Sequence, residues 1–255
     1  MMFVDPTGEL PWFVWAAVAV TGSYIGGSAA NETWNPFDWD WSSANTWAGI
    51  VGGAIQSTVG FAAGYSTWLY GWSALALPSS SFTTMGNILR WGTLGMKTIS
   101  TIGTIGSVVA NTENATRILW GQYKYDESKS FFGQIWQGLL RSTWERPQQF
   151  LGRTLSHYRN FFTDVDVSYY HGATLVNRDK EDGWKRGVTL GSMINSRNLE
   201  ASESDAMFMH EYGHTIQSRR FGLSYVPAIG IPSIISAAFG SEKDHAYRWY
   251  ERQAN

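Results

Sequence analysis

The first 89 residues contain no lysine or arginine. Their only charged side chains are Asp5, Glu9, Glu32, Asp38 and Asp40, so residues 10–31 and 41–89 carry no charge at all. A helix made from such a run has no charged outer face to give to water and must hide most of its surface. Both runs are long enough to cross a bilayer. They are rich in Gly, Ser and Thr rather than Leu or Ile, with Gly52, Gly60 and Gly64 at the small-residue intervals that let helix backbones approach. Residues 100–110 repeat the style with Gly103 and Gly106. Two expectations follow. Residues 10–110 either make transient membrane contact or form tightly packed helices inside protein, and a mean hydropathy of −0.21 favours packing.

The charge balance changes abruptly along the chain. Residues 1–89 carry −5, and the remaining 19 basic and 16 acidic residues give +3. This predicts a Gly/Trp-rich region over 1–110, a polar linker over 111–127 and a second domain over 128–255. The net charge of −2 gives no reason to expect nucleic acid as a partner. The absence of Cys excludes disulfides, thiolate catalysis and Cys-metal sites. No basic n-region precedes an apolar core at the start, so no cleavable signal peptide is expected, and residues 1–5 read as the middle of a longer protein. Nucleophile elbows, phosphate loops and dinucleotide fingerprints are not found.

One short stretch carries chemistry: His210-Glu211-Tyr212-Gly213-His214, an H-E-x-x-H pattern. On a helix, residues four apart share a face, so both imidazoles can reach one zinc ion. Glu211 then lies beside the open position, where a carboxylate can take a proton from the attacking water and pass it to the leaving amine. The flanks suit a helix. Ser202 to Asp205 offers N-cap residues, Met207, Phe208, Tyr212 and Ile216 are apolar, Arg219 and Arg220 fall in a last turn, and Gly222 can stop it.

A catalytic zinc wants a third protein ligand. In the metzincin pattern it would be a His six residues after His214, where Arg220 stands. Glu251, Ala254 and Asn255 form E-x-x-A-N, which resembles the E-x-x-A-D of gluzincin peptidases. The resemblance implies Glu251 as third ligand and Asn255 as the group that orients a ligand His, although Asn brings no charge where the family has Asp. His245 is the reserve ligand, and a surface or packing role is the alternative for it. Tyr225 is a candidate for stabilising an oxyanion, as a Tyr does in some zincins, with packing as the alternative. His157 is expected at the surface or at a helix cap.

Residues 131–162 read as helix broken at Pro147. Residues 165–176 and 186–195 read as strands, and the apolar, Pro-interrupted stretch 221–236 as a packed connection. The fold class is therefore α+β. A small antiparallel sheet beside the H-E-x-x-H helix resembles the zincin arrangement, with residues 187–195 as the edge strand that would hold an extended peptide by β-augmentation.

Phe3-Val4-Asp5-Pro6-Thr7-Gly8-Glu9 resembles the D-P-x-G motif that closes the core of bacterial Rhs/YD-repeat proteins, whose C-terminal tips are often toxins. The resemblance implies an effector delivered by bacterial secretion machinery, a protein or peptide substrate, and a cognate immunity protein. The rival expectation is a membrane-active or structural tail in which the H-E-x-x-H motif is vestigial.

Overall fold

The computed structural model describes residues 12–76, 84–181, 183–239 and 248–254. The Rhs-like motif over residues 3–9, His245 and Asn255 lie outside the described residues.

The uncharged region is helical. Helix α1 (Trp12–Asn31) and helix α2 (Ala44–Ala76) run antiparallel, joined by a turn that includes a short 3-10 segment, Pro36–Asp38. Their seam is made by glycines. A Cβ on Gly26 would lie 2.0 Å from the Gly49 carbonyl oxygen, and one on Gly53 would lie 2.2 Å from that of Gly22. The close approach thus falls on Gly22, Gly26, Gly49 and Gly53 rather than on the spacing of Gly52, Gly60 and Gly64. Gly52 faces the Tyr125 ring, and a Cβ on Gly60 would touch nothing. Helix α1 is long and apolar enough to cross a membrane by length and composition alone.

Helix α3 (Thr84–Ala110) packs on helix α6 (Arg146–Phe162) through Gly103 against Tyr158 and Gly106 against Phe161. His157 on α6 is buried at this seam, with Nδ1 3.0 Å from Ser107 Oγ. That corrects its expected surface position: the helix face bearing His157 turns toward Ser107 on α3. Burial, aided by the Arg153 charge, pushes its pKa down to about 4.

The segment expected as a linker contains helix α4 (Thr112–Gly121), capped by Asn111. Its polar residues Thr112, Glu113 and Arg117 conceal an inner face, on which Ala115, Ile118 and Trp120 are buried. Ile118 packs with Val167, Val176 and Met193 in the core beneath the sheet. Helix α5 (Phe131–Ser142) follows. The break before α6 falls where expected, with Pro147 in the first turn of α6.

Each expected strand is a hairpin. Strands β1 (Asp166–Tyr170) and β2 (Ala173–Arg178) flank His171-Gly172, both at positive φ (44° and 79°). Strands β3 (Arg186–Leu190) and β4 (Met193–Arg197) flank Gly191-Ser192, with Gly191 at φ 66°. Two-residue turns of this kind match the strand twist. The sheet order is β1-β2-β4-β3. The pairings within each hairpin are antiparallel and β2 pairs parallel with β4, so the sheet is mixed rather than purely antiparallel. Side-chain alternation sends Val167, Val176 and Met193 to the α4 side. Ala173, Leu175 and Ile194 go to the other side, against Phe208 of helix α7 (Ala206–Phe221). The fold is α+β. After α7 come two short turns of helix, Gly222–Ser224 and Val226–Gly230, then α8 (Ile231–Phe239) and the short α9 (Trp249–Arg252).

Candidate metal centre

Helix α7 starts where Asp205 accepts hydrogen bonds from the backbone N–H groups of Met207 and Phe208, a side-chain N-cap. It ends at Gly222, whose φ of 52° suits only glycine. Between these stops, His210 and His214 fall on one face with ring centroids 4.8 Å apart.

Glu251 reaches this pair from α9. Its Oε2 lies 3.1 Å from His210 Nε2 and 3.2 Å from His214 Nε2, and the three donor atoms all lie within 4.8 Å of one another. The approach depends on Gly213. A Cβ there would sit 1.8 Å from the Ala254 carbonyl oxygen, so only glycine lets α9 come this close to α7. Glu251 is buried, which by itself would raise its carboxyl pKa. The His210 and His214 imidazoles and the Ser233 hydroxyl hold it well below the usual carboxylate range instead.

Hydrogen bonding fixes which imidazole nitrogen is bare. The Gln217 amide donates from Nε2 to the Tyr250 carbonyl at 2.6 Å, which turns its Oε1 toward His214 Nδ1 at 2.7 Å. An amide oxygen can only accept, so Nδ1 carries the hydrogen. In the neutral imidazole the Nε2 lone pair then faces a carboxylate oxygen. Two electron-rich atoms at 3.2 Å repel unless a cation, proton or metal ion, lies between them. Two nitrogens and one oxygen converging in this way could hold a metal ion. Gln217 thus orients the His214 imidazole, and no sequence spacing had singled it out.

The Glu211 carboxylate lies against the sheet. Thr189 Oγ1 donates to its Oε2 at 2.6 Å, and Gly187 leaves the space its side chain fills, since a Cβ there would lie 2.6 Å from the Glu211 carboxyl carbon. Both residues belong to β3, the edge of the sheet. Leu190 and Met193 close the hairpin as a hydrogen-bonded pair, so the backbone groups of Thr189 and Gly187 point outward. The Thr189 carbonyl is already taken by the Tyr225 hydroxyl, which donates to it at 3.0 Å. Tyr225 is buried, and its phenol pKa is raised by burial and by the charges of Glu211 and Glu251. It borders the cleft but is committed to holding β3. The cleft, of about 220 Å³, is lined by Gly187, Thr189, His210, Glu211, His214 and Glu251 among others.

The other described histidines stay apart from this group. His157 is buried under α3, and His171 sits in the β1–β2 turn with Nδ1 3.2 Å from Asp126 Oδ1.

No family model matches the chain, and no solved structure matches it. It is similar to salivary gland surface protein 1 of the mosquito Aedes aegypti, with 29% identity over 210 residues. The match covers 79% of this chain but 5% of the mosquito protein, so the chain spans about a twentieth of that relative's length.

Proposed function

We propose that this chain is a zinc-dependent endopeptidase. The observation that supports it is the convergence of His210, His214 and Glu251, with Glu211 of the same helix held against the edge strand β3 by Thr189. The three converging residues would hold the ion. A zinc ion so held would supply Lewis acidity, polarising a substrate carbonyl and acidifying a water molecule. The chain's own residues do the rest. Glu211 accepts the proton of the attacking water and returns it to the departing amine nitrogen, so that the peptide C–N bond breaks with no covalent enzyme intermediate. Thr189 orients the Glu211 carboxylate. The outward N–H and C=O of Gly187 can take a substrate backbone as an added strand, while Tyr225 keeps that edge straight by occupying the Thr189 carbonyl.

The same proposal extends, on the resemblance of residues 3–9, to an effector at the tip of an Rhs-like polypeptide. In that setting it is delivered by bacterial secretion machinery and matched by an immunity protein. The rival reading, a membrane-active tail, draws on α1 and its length.

The test is zinc per chain and peptide hydrolysis for the full chain, with Glu211→Gln and Glu251→Ala beside it. One zinc in the parent, retained with turnover lost in Glu211→Gln and lost altogether in Glu251→Ala, is the expected result. A folded parent that takes up no zinc overturns the proposal.

A further inference from the structure

One cavity bordered by described residues is remote from the residues that could hold a metal. It measures about 670 Å³ and opens between the α1–α2 hairpin and helices α5 and α6. The α1–α2 wall supplies the apolar side chains Phe13, Val14, Ala17, Val18 and Phe61, beside the polar Thr21, Gln56 and Ser57. The other presents guanidinium groups from Arg141, Arg146 and Arg153. Among the described residues, no Asp or Glu lines it.

The three arginines differ in how well they are satisfied. Arg141 is buried and donates to the backbone carbonyls of Gln122, Lys124 and Gly172, with Glu145 as its electrostatic partner. It is structural. Arg153 donates to a neutral amide oxygen, Gln122 Oε1 at 2.5 Å. Arg146 donates from Nη2 to the Gly60 carbonyl at 3.1 Å, and its Nη1 is buried without a hydrogen bond. Among the described residues no carboxylate offsets either charge, and desolvation lowers the pKa of both guanidinium groups. Both side chains are half-buried, so each charge is partly withdrawn from water with no anionic partner among the described residues to compensate it. Two such cations on α6, with Phe150 between them and the mainly apolar face of α1 across the cavity, define the shape of the missing group.

We propose that this cavity binds an anionic amphiphile: a carboxylate or phosphate head on Arg146 and Arg153, and an acyl tail along α1 and Phe150. Its volume falls within the range of small-molecule sites, roughly 300–1,000 Å³. The head could belong to a free fatty acid or to a phospholipid in a bilayer. The inference stands apart from the peptidase reading, since none of these residues touches the metal group.

The experiment uses the full chain, monomeric oleate, its methyl ester, and vesicles of phosphatidylglycerol or phosphatidylcholine. Arg146→Gln and Arg153→Gln remove the charges, and Ala17→Phe fills the apolar end. Helical content by circular dichroism establishes that each variant is folded. Oleate binding at one per chain, at least tenfold weaker for the methyl ester and for each variant, supports a free amphiphile. Binding only to phosphatidylglycerol vesicles, with the same loss in the variants, supports a bilayer lipid. Equal binding of oleate and its methyl ester, retention of either probe by all three variants, or no binding to any probe overturns the proposal.

Discussion

Replacing Gly187 with Ala should separate zinc binding from turnover. The new Cβ would lie 2.6 Å from Cγ and Cδ of Glu211 and 2.7 Å from its Oε1. Carbon atoms pack at about 3.5–4.0 Å, so the carboxylate must retreat by roughly 1 Å. The atoms in the way are the free end of a flexible side chain, and the backbone can stay where it is. The stability cost is therefore small. Losing the Thr189–Glu211 hydrogen bond costs about 1.5–3 kcal/mol, and the reduced freedom of the unfolded chain returns about 0.4–1 kcal/mol. For a chain of this size, a net 1–2 kcal/mol lowers Tm by roughly 2–8 °C. Catalysis is far more sensitive, because a misplacement of about 1 Å costs on the order of 100-fold. That corresponds to about 2.7 kcal/mol of activation free energy. The assay is metal content, thermal unfolding and hydrolysis of a quenched peptide library on the same preparations. Unchanged zinc, a modest fall in Tm and a roughly 100-fold loss of turnover are expected. Full turnover in the variant would refute the idea that Glu211 works from the position that β3 gives it.

Gln217→Leu removes the acceptor from His214 Nδ1 and should weaken zinc binding by about 10–100-fold in competition with a chelator. Gly213→Ala drives a methyl group into the Ala254 backbone, which cannot swing aside as a side chain can. It should cost about 1–3 kcal/mol in urea unfolding and, unlike Gly187→Ala, release zinc as Glu251 is pushed away. Arg141→Met strands the carbonyls of Lys124 and Gly172 and removes the main counter-charge of buried Glu145, and should destabilise by about 3–5 kcal/mol in the same experiment. His157 is held neutral, with a pKa near 4 in the fold against about 6.5 when unfolded. The unfolded chain therefore binds the extra proton first as pH falls. The stability that His157 contributes is complete above about pH 6.5 and is lost as pH drops toward 4, by roughly 3 kcal/mol. In His157→Gln, the decline in Tm over that interval should be shallower than in the parent by this amount, and an identical slope would show that another group is responsible.

The candidate metal centre was legible where its geometry is local and hidden where it is not. His210, Glu211 and His214 are fixed relative to each other by one helix, so their spacing alone placed them. Glu251 was found by its resemblance to a family pattern. What brings it within 3.2 Å of His214 is Gly213, which spacing arguments treat as the unspecified position inside H-E-x-x-H. Gln217 is three residues past His214 and on its face of the helix, so i,i+3 reasoning could have picked it as the imidazole's partner. Thr189 lay inside the expected edge strand, yet only the register shows that its side chain faces α7. The two hairpins were read as single strands because His171-Gly172 and Gly191-Ser192 interrupt the apolar pattern for only two residues, too briefly to change a period-2 signal.

The region before residue 128 was harder to read because its outward and inward faces differ so little. In α1 and α2 small residues occur on every side, and only the partner helix decides which glycines meet. In α4 the reverse holds. Polar residues dominate the count, but Ile118 and Trp120 sit on the one face that matters. Ile118 closes the same core as Val176 and Met193, and Met193 is joined through β4 to β3, where Thr189 and Gly187 position Glu211. A chain cut at residue 128 would therefore open the sheet on the side opposite the metal. The strand that positions Glu211 rests on a helix from the segment that looked like a linker.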